Sequence, residues 1–129
     1  MTITSKAIDA VVDAAEDLSW DLSDPQDVDS KMDVLASALL DLGAISFTRD
    51  EKKRFDLYDI LVKYAKEGLI DDSAAGYCSE INNGIRRFDY DMHDGDSFRE
   101  RIADEVDALQ DEIKTAMKKL EKNVKKANE

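Results

Sequence analysis

The hydrophobic positions in the first 43 residues predict two amphipathic helices. Apolar residues recur every three or four positions from about Ser5 to Leu22, which predicts the first helix. The second helix is predicted to begin at Ser23-Asp24-Pro25, because a capping side chain there precedes a proline at the first helical position. It is expected to end at Gly43. On the first helix the carboxylates lie opposite the apolar stripe, so one face should be buried and the other solvated.

The middle of the chain predicts two further helices. Thr48-Arg49-Asp50-Glu51 has the pattern of a capping box, and the helix that it opens should continue to Gly68 with a wide apolar stripe. A fourth helix should begin near Asp71-Asp72-Ser73. Residues 84–92 have two interpretations, which the sequence leaves open. They continue the helix, or they form a short strand that pairs with residues 44–47 in a minor two-stranded patch.

The last predicted helix is the longest and extends from Phe98 to about Ala127. At 1.5 Å per residue it would be about 45 Å long. The other helices are too short to cover all of it, so its C-terminal third is expected to project or to pair with a second copy of the chain. Its apolar positions step by four and three residues, as in a coiled-coil seam that includes Ile102, Val106, Leu109, Ile113 and Leu120.

These elements together predict an all-α fold. We expect one domain over residues 1–129, built as a compact bundle of about five helices with a long C-terminal helix over residues 98–127. The chain length is typical of a single domain with an ordinary hydrophobic core. The single cysteine, Cys78, excludes an internal disulfide and is expected to be buried.

Charge is the most informative compositional feature. The chain carries 30 acidic and 18 basic residues, for a net charge of −12. Residues 1–41 and 89–112 each hold ten acidic and two basic residues, whereas residues 113–129 hold two acidic and six basic ones. Direct binding to nucleic-acid phosphates or to an anionic membrane is therefore disfavoured, and a basic partner is the natural complement. No signal peptide or membrane-spanning stretch is visible, so we expect a cytoplasmic location.

The residue types argue against catalysis and against a cofactor. His93 is the only histidine, and nothing near Cys78 supplies an oriented base, so no nucleophilic or acid–base site is expected. Asp89, Asp91 and Glu100 have the spacing of calcium ligands, but Gly95 lies one place too late for the sharp turn of such a loop. A magnesium hydrolase would need carboxylates that point into the bundle, whereas the pattern turns them outward. We therefore predict no enzyme activity and no bound metal.

The outward carboxylates are the predicted partner-binding residues. Of the 30 acidic residues 21 are aspartate, although glutamate is the better helix former. Carboxylates three or four positions apart stand about 5–6 Å from one another, near the spacing of phosphates along a nucleic-acid strand. In composition the chain resembles the small acidic inhibitors that phages and mobile elements direct against restriction or CRISPR machinery. The candidate contacts are Asp9, Asp13, Glu16, Asp17, Asp104, Asp107 and Asp111.

Two function hypotheses follow. In the first, the chain is a stoichiometric inhibitor whose aspartate-rich faces cover a basic surface of a nucleic-acid-processing protein, as a nucleic-acid mimic. In the second, it is a structural or adaptor protein, and the seam from Ile102 to Leu120 pairs two copies into a homodimer or meets a partner helix. In that case the acidic faces serve only solubility. Trp20 is expected to pack at the end of the first helix, with a role as a surface anchor for a partner as the alternative.

Overall fold

The chain folds into six helices, as seen in a computed structural model that describes residues 3–88 and 94–127, with side chains as far as Val124. The helices are α1 (Ser5–Asp17), α2 (Pro25–Asp41), α3 (Arg49–Arg54), α4 (Leu57–Lys66), α5 (Ser73–Arg86) and α6 (Gly95–Ala127). The all-α class and the long C-terminal helix are confirmed. Within the described ranges there is no strand, and residues 44–47 lie in a loop. Residues 89–92 of the alternative strand lie outside the described residues.

Side-chain caps decide where most of the helices begin. The Asp24 side chain accepts from the Gln26 N–H at 3.0 Å and so starts α2, with Pro25 in the first turn. The predicted capping box at the start of α3 is confirmed. The Glu51 side chain accepts from the Thr48 backbone N–H at 2.8 Å, and the Thr48 side chain accepts from the Glu51 backbone N–H at 3.0 Å. A second box, between Asp56 and Asp59, was not predicted. It divides the expected third helix into the short α3 and the longer α4.

Two predicted helix limits were wrong, each for a local reason. The first helix ends at Asp17 and not at Leu22. A longer helix would bond the carbonyls of Ala15 and Glu16 to backbone N–H groups four residues on, whereas here they accept from the N–H groups of Leu18 and Ser19, three residues on. Both carbonyls also accept from the Gln110 side chain. The last helix begins at Gly95, three residues early, because Asp94 and not Ser97 caps it: Asp94 Oδ1 accepts from the Ser97 N–H at 2.9 Å.

The core lies around α6. This helix packs against α1 on one side and α5 on the other, α2 packs against α1, and α4 fills the space between α2 and α5. The Tyr64 hydroxyl donates to the Leu39 carbonyl and ties α4 to α2. Met117 is buried, and Leu120 and Val124 are half-buried against the core, so α6 keeps contact with the bundle at least as far as Val124. Among the described helices none is long and apolar enough to cross a membrane.

The helices α5 and α6 pack tightly at Gly84. A Cβ atom built on this glycine would lie 2.7 Å from Ile102 Cγ2, a distance that real Cβ contacts do not show. Gly76, two turns earlier on the same helix, has no atom within 4 Å of the corresponding position. A side chain at Gly84 would therefore clash with α6, whereas a side chain at Gly76 would point into open space. Gly84 leaves room for the Ile102 side chain of α6, whereas Gly76 only lowers the intrinsic stability of the helix.

Gly84→Ala is expected to lower the free energy of unfolding by about 1–2 kcal/mol, because the new methyl group must displace Ile102. Gly76→Ala is the matched control and is expected to raise it by about 0.5–1 kcal/mol through better helix propensity. Urea denaturation followed by circular dichroism measures both values. Equal effects of the two substitutions would contradict the close α5–α6 contact.

Candidate protein-binding surface

The seven carboxylates predicted to bind a partner lie on two neighbouring helices, and we refer to them together as the acidic face. Four are on α1 and three are on α6, and all seven are exposed. Their placement follows from helical periodicity. The apolar stripes of α1 and α6 are buried against the rest of the bundle, so the residues opposite those stripes turn to solvent. The acidic face comprises Asp9, Asp13, Glu16, Asp17, Asp104, Asp107 and Asp111.

Gln110 joins the two helices that carry the acidic face. Its amide nitrogen Nε2 lies 2.7 Å from the Ala15 carbonyl oxygen, 3.2 Å from that of Glu16 and 2.9 Å from Ser19 Oγ. The two carbonyls belong to the last turn of α1, and they also accept from the Leu18 and Ser19 backbone N–H groups, each at 3.3 Å. The neutral amide therefore ties the end of α1 to α6 without cancelling any of the surrounding negative charge.

Of the seven carboxylates, Glu16 is the only one that forms an ion pair with a described residue. Its Oε1 lies 3.1 Å from Lys114 Nζ, and both side chains are well exposed, at 51% and 39%. An exposed pair of this kind contributes at most about 1 kcal/mol and is weakened further by salt. The other six carboxylates have no ion-pair partner among the described residues, so their charge is available to a ligand or partner.

The lysine-rich end of α6 does not fold back over the acidic face. The helix is continuous to Ala127, so this end continues along the axis of α6. Lys118 and Lys122 lie 7 and 11 residues beyond Asp111, about 10 and 16 Å along the axis. Lys118 is therefore close to the screening length of about 8 Å at physiological salt, and the lysines reduce the negative charge at that end of the acidic face. Gly95 lies against Ser23 and Lys114 against Glu16, so the two helices run in opposite directions.

Because α1 and α6 run in opposite directions, the members of the acidic face lie at different distances from the lysine-rich end of α6. Asp9 lies on α1 about 10 Å from Glu16, towards the lysines of α6. Asp17, at the other end of α1, lies towards Asp107 and Asp104. Within the acidic face, Asp9 therefore lies nearest the lysine-rich end of α6, and Asp17 lies nearest Asp107 and Asp104.

Trp20 follows the C-terminal end of α1 and is exposed, so the expectation that it packs was wrong. Its side chain is 81% exposed, the largest value among the exposed large hydrophobic residues. Beyond Asp17 the chain forms a tight turn, in which the Trp20 N–H donates to the Asp17 carbonyl at 3.2 Å. Leu18 and Leu22 on either side of this turn are both buried. Trp20 lies between them and points the other way.

The seam predicted for self-association lies mostly inside the chain's own core. Ile102, Val106, Leu109 and Ile113 are 0–1% exposed, because α1 and α5 pack over them. Only Leu120 of the predicted seam is half-buried. A second copy could reach the four buried residues only if α1 or α5 first left the bundle. The heptad spacing was a correct signal of burial, but the helices that bury it belong to the same chain.

A second group of carboxylates, which sequence reasoning missed, lines a cleft between α2, α4 and α5. The cleft has a volume of about 510 Å³, and Asp29, Asp33 and Asp56 lie along it with Tyr58 and Arg86. No local motif marks these residues, because three separate helices bring them together. Among the described residues no three histidine, cysteine, aspartate or glutamate side chains are arranged to hold a metal ion.

The crowding of carboxylates changes their acidity. Partial burial, and then the charges of Asp29 and Asp56, raise the pKa of Asp33 above its ordinary value of 3.8.

Burial also raises the pKa of Cys78, to about 12, with smaller contributions from Asp56 and Asp59. Cys78 therefore remains a thiol at neutral pH and is no nucleophile. Residues 89–93, which hold most of the calcium-like spacing rejected above, lie outside the described residues.

Comparison with known proteins adds no relative to this picture. The sequence matches no family model and no curated protein, and the fold matches no solved structure. The surface described above must therefore be interpreted from its own chemistry.

Asp33→Asn is expected to raise the melting temperature at pH 7 by about 1–3 °C. Because the pKa of Asp33 is higher in the folded than in the unfolded chain, ionisation costs stability as the pH rises through that interval. The gain should vanish at a pH well below 3.8, where the carboxyl group is protonated in both states. Thermal unfolding of both proteins at a series of pH values measures the difference.

Asp71→Asn is the matched control, with the opposite sign. The Ser73 backbone N–H, at 3.0 Å from Asp71 Oδ1, lowers the pKa of this carboxyl group, followed by a bond from the Ser73 side chain. Its charge therefore stabilises the fold above pH 3.8, and the substitution should lower the melting temperature at pH 7. A gain in both variants would show that relief of net charge, and not the local environment, controls the result.

Proposed function

We propose that this protein is a non-catalytic, stoichiometric inhibitor that acts in the cytoplasm by covering a basic, nucleic-acid-binding surface of a partner protein. The proposal includes the anti-restriction or anti-CRISPR role of the acidic inhibitors that the composition resembles. The observation that carries it is the acidic face, with seven exposed carboxylates on two helices joined side by side. Six of the seven have no described ion-pair partner.

The chemistry of the acidic face suits a cationic site better than a small ligand. Carboxylates at positions i, i+3 and i+4 of a helix lie about 5–6 Å apart, and a helix holds that spacing without further ordering on binding. The short aspartate side chain also loses less rotamer freedom than glutamate when it pairs with a fixed cation. A row of such carboxylates therefore presents to lysines and arginines negative charges at nearly the spacing of phosphates along a strand. The entropic cost of this arrangement is low.

The charge of the whole molecule supports fast and selective association. A net charge of −12 on 129 residues attracts a basic surface over several ångströms and repels nucleic acid and anionic lipid. The partner's own nucleic acid would compete for the same cations, and this competition is what makes such a binder inhibitory. The adaptor hypothesis has less support, because it relies on Ile102, Val106, Leu109 and Ile113, which the core already uses.

The test is low-salt affinity capture from the source cell or its host, with two four-residue variants of equal charge change. The acidic-face variant carries Asp→Asn at positions 13, 17, 107 and 111. The control variant neutralises four other exposed acids, with Asp41→Asn, Glu67→Gln, Asp72→Asn and Glu80→Gln. We expect the wild type and the control to capture the same nucleic-acid-binding protein and to block its binding to DNA or RNA.

The acidic-face variant should bind the captured protein at least tenfold more weakly, a loss of about 1.4 kcal/mol or more. Wild-type binding should also fall steeply between about 50 and 300 mM salt, because the contact is electrostatic. Equal binding by the two variants, or binding that salt does not affect, would refute the proposal. So would a captured partner that still binds nucleic acid normally.

A further inference from the structure

We propose that Trp20, with the flanking carboxylates of Asp17 and Asp21, forms a binding site for one arginine side chain of the basic partner. This inference rests on the proposed function and specifies one contact within it. The site lies at the C-terminal end of α1, where the chain turns towards α2.

The first observation is that the indole ring of Trp20 is left open. The side chain is 81% exposed, and it forms no hydrogen bond or ring contact with any described residue. Tryptophan presents the largest apolar surface of any side chain, and leaving it in water forgoes the free energy of burying it. The two leucines of the same turn, Leu18 and Leu22, are buried. The turn therefore places the tryptophan outward and the smaller residues inward.

The second observation is that the turn is held in place. Ser19 Oγ accepts from Gln110 Nε2 at 2.9 Å, which ties the residue before Trp20 to α6. Asp21 Oδ1 accepts from both the backbone N–H and the hydroxyl of Ser23, at 3.1 and 2.6 Å. The ring therefore stands on a braced segment, and its binding requires little further ordering of the backbone.

The third observation is the charge of two near neighbours of Trp20 in the sequence, Asp17 and Asp21. Asp17 is exposed and has no ion pair with a described residue. The Oδ2 atom of Asp21 accepts no hydrogen bond from the described residues. The hydrogen bonds from Ser23 lower the pKa of Asp21, with a smaller effect of the nearby Lys31 and Arg99, so this carboxylate is charged at neutral pH. Lys31 is itself paired with Asp27 at 2.8 Å.

An arginine side chain fits this combination better than any other group. Its flat guanidinium stacks on an indole face through cation–π attraction, while its N–H groups at the edge remain free to donate to Asp17 or Asp21. The lysine ammonium is more strongly hydrated and has no flat face to stack. A purely apolar partner side chain would bury the two carboxylates without compensation, and an acidic one would be repelled.

The test compares two labelled peptides, hexa-arginine and hexa-lysine, whose binding is followed by fluorescence anisotropy at low salt. We expect the wild type to bind both through the acidic face. Trp20→Ala should weaken the arginine peptide about three- to tenfold and change the lysine peptide less than twofold. Trp20→Phe should recover part of the loss. Since Trp20 is the only tryptophan, its emission should shift or be quenched by unlabelled hexa-arginine and much less by hexa-lysine.

The possible outcomes distinguish a failure of the arginine site from a failure of the proposed inhibitor function. If both peptides bind but Trp20→Ala changes neither, and the emission does not move, the arginine site is refuted while the acidic face stands. If neither peptide binds, or if the four-residue acidic-face variant binds them as well as the wild type does, the proposed function fails together with the site. Trp20→Ala should melt within about 2 °C of the wild type, because the ring is exposed.

Discussion

The burial of one apolar stripe on α6 determines where every other feature of the molecule lies. Ile102, Val106, Leu109 and Ile113 are all but inaccessible, and each such side chain contributes about 1.5–3 kcal/mol when removed from water. The helices that cover the stripe, α1 and α5, occupy both flanks of α6 and leave its far side to solvent. Since aspartates occupy that far side, the packing of the core turns them outward.

The same constraint brings two acidic surfaces together. α1 must bury its own stripe against α6 and α2, so its carboxylates face solvent beside those of α6. Like charges at this junction repel, and a protein selected for stability alone would mix both signs across it. The residue that bridges the helices is a neutral glutamine, which binds the backbone of α1 and leaves the field of the carboxylates intact. Lys114 offsets only one of the seven charges.

Periodicity and capping chemistry were sufficient to predict most of the fold. The cap at Asp24 and the box at Thr48 and Glu51 act between neighbours in sequence, so the sequence alone could show them. Gln110, almost a hundred residues away, bonds the last carbonyls of α1, and no local pattern records that contact. The heptad steps of α6 indicated which side is apolar but not which chain covers it. The cleft with Asp29, Asp33 and Asp56 exists only because α2, α4 and α5 meet.

In the candidate surface, too, some features could be predicted from the sequence and others could not. The carboxylates could be assigned to the solvent side from spacing alone, whereas the position of Trp20 depends on a turn that replaces helix after Asp17. Solubility would account for exposed aspartates on α1 and α6, but it gives no reason to place a tryptophan among them, because an open indole opposes solubility. A binding surface accounts for both features together. In the proposed complex, charge would bring a basic partner close and salt would weaken the contact, while the aromatic ring would add a short-range contact that suits a flat cation.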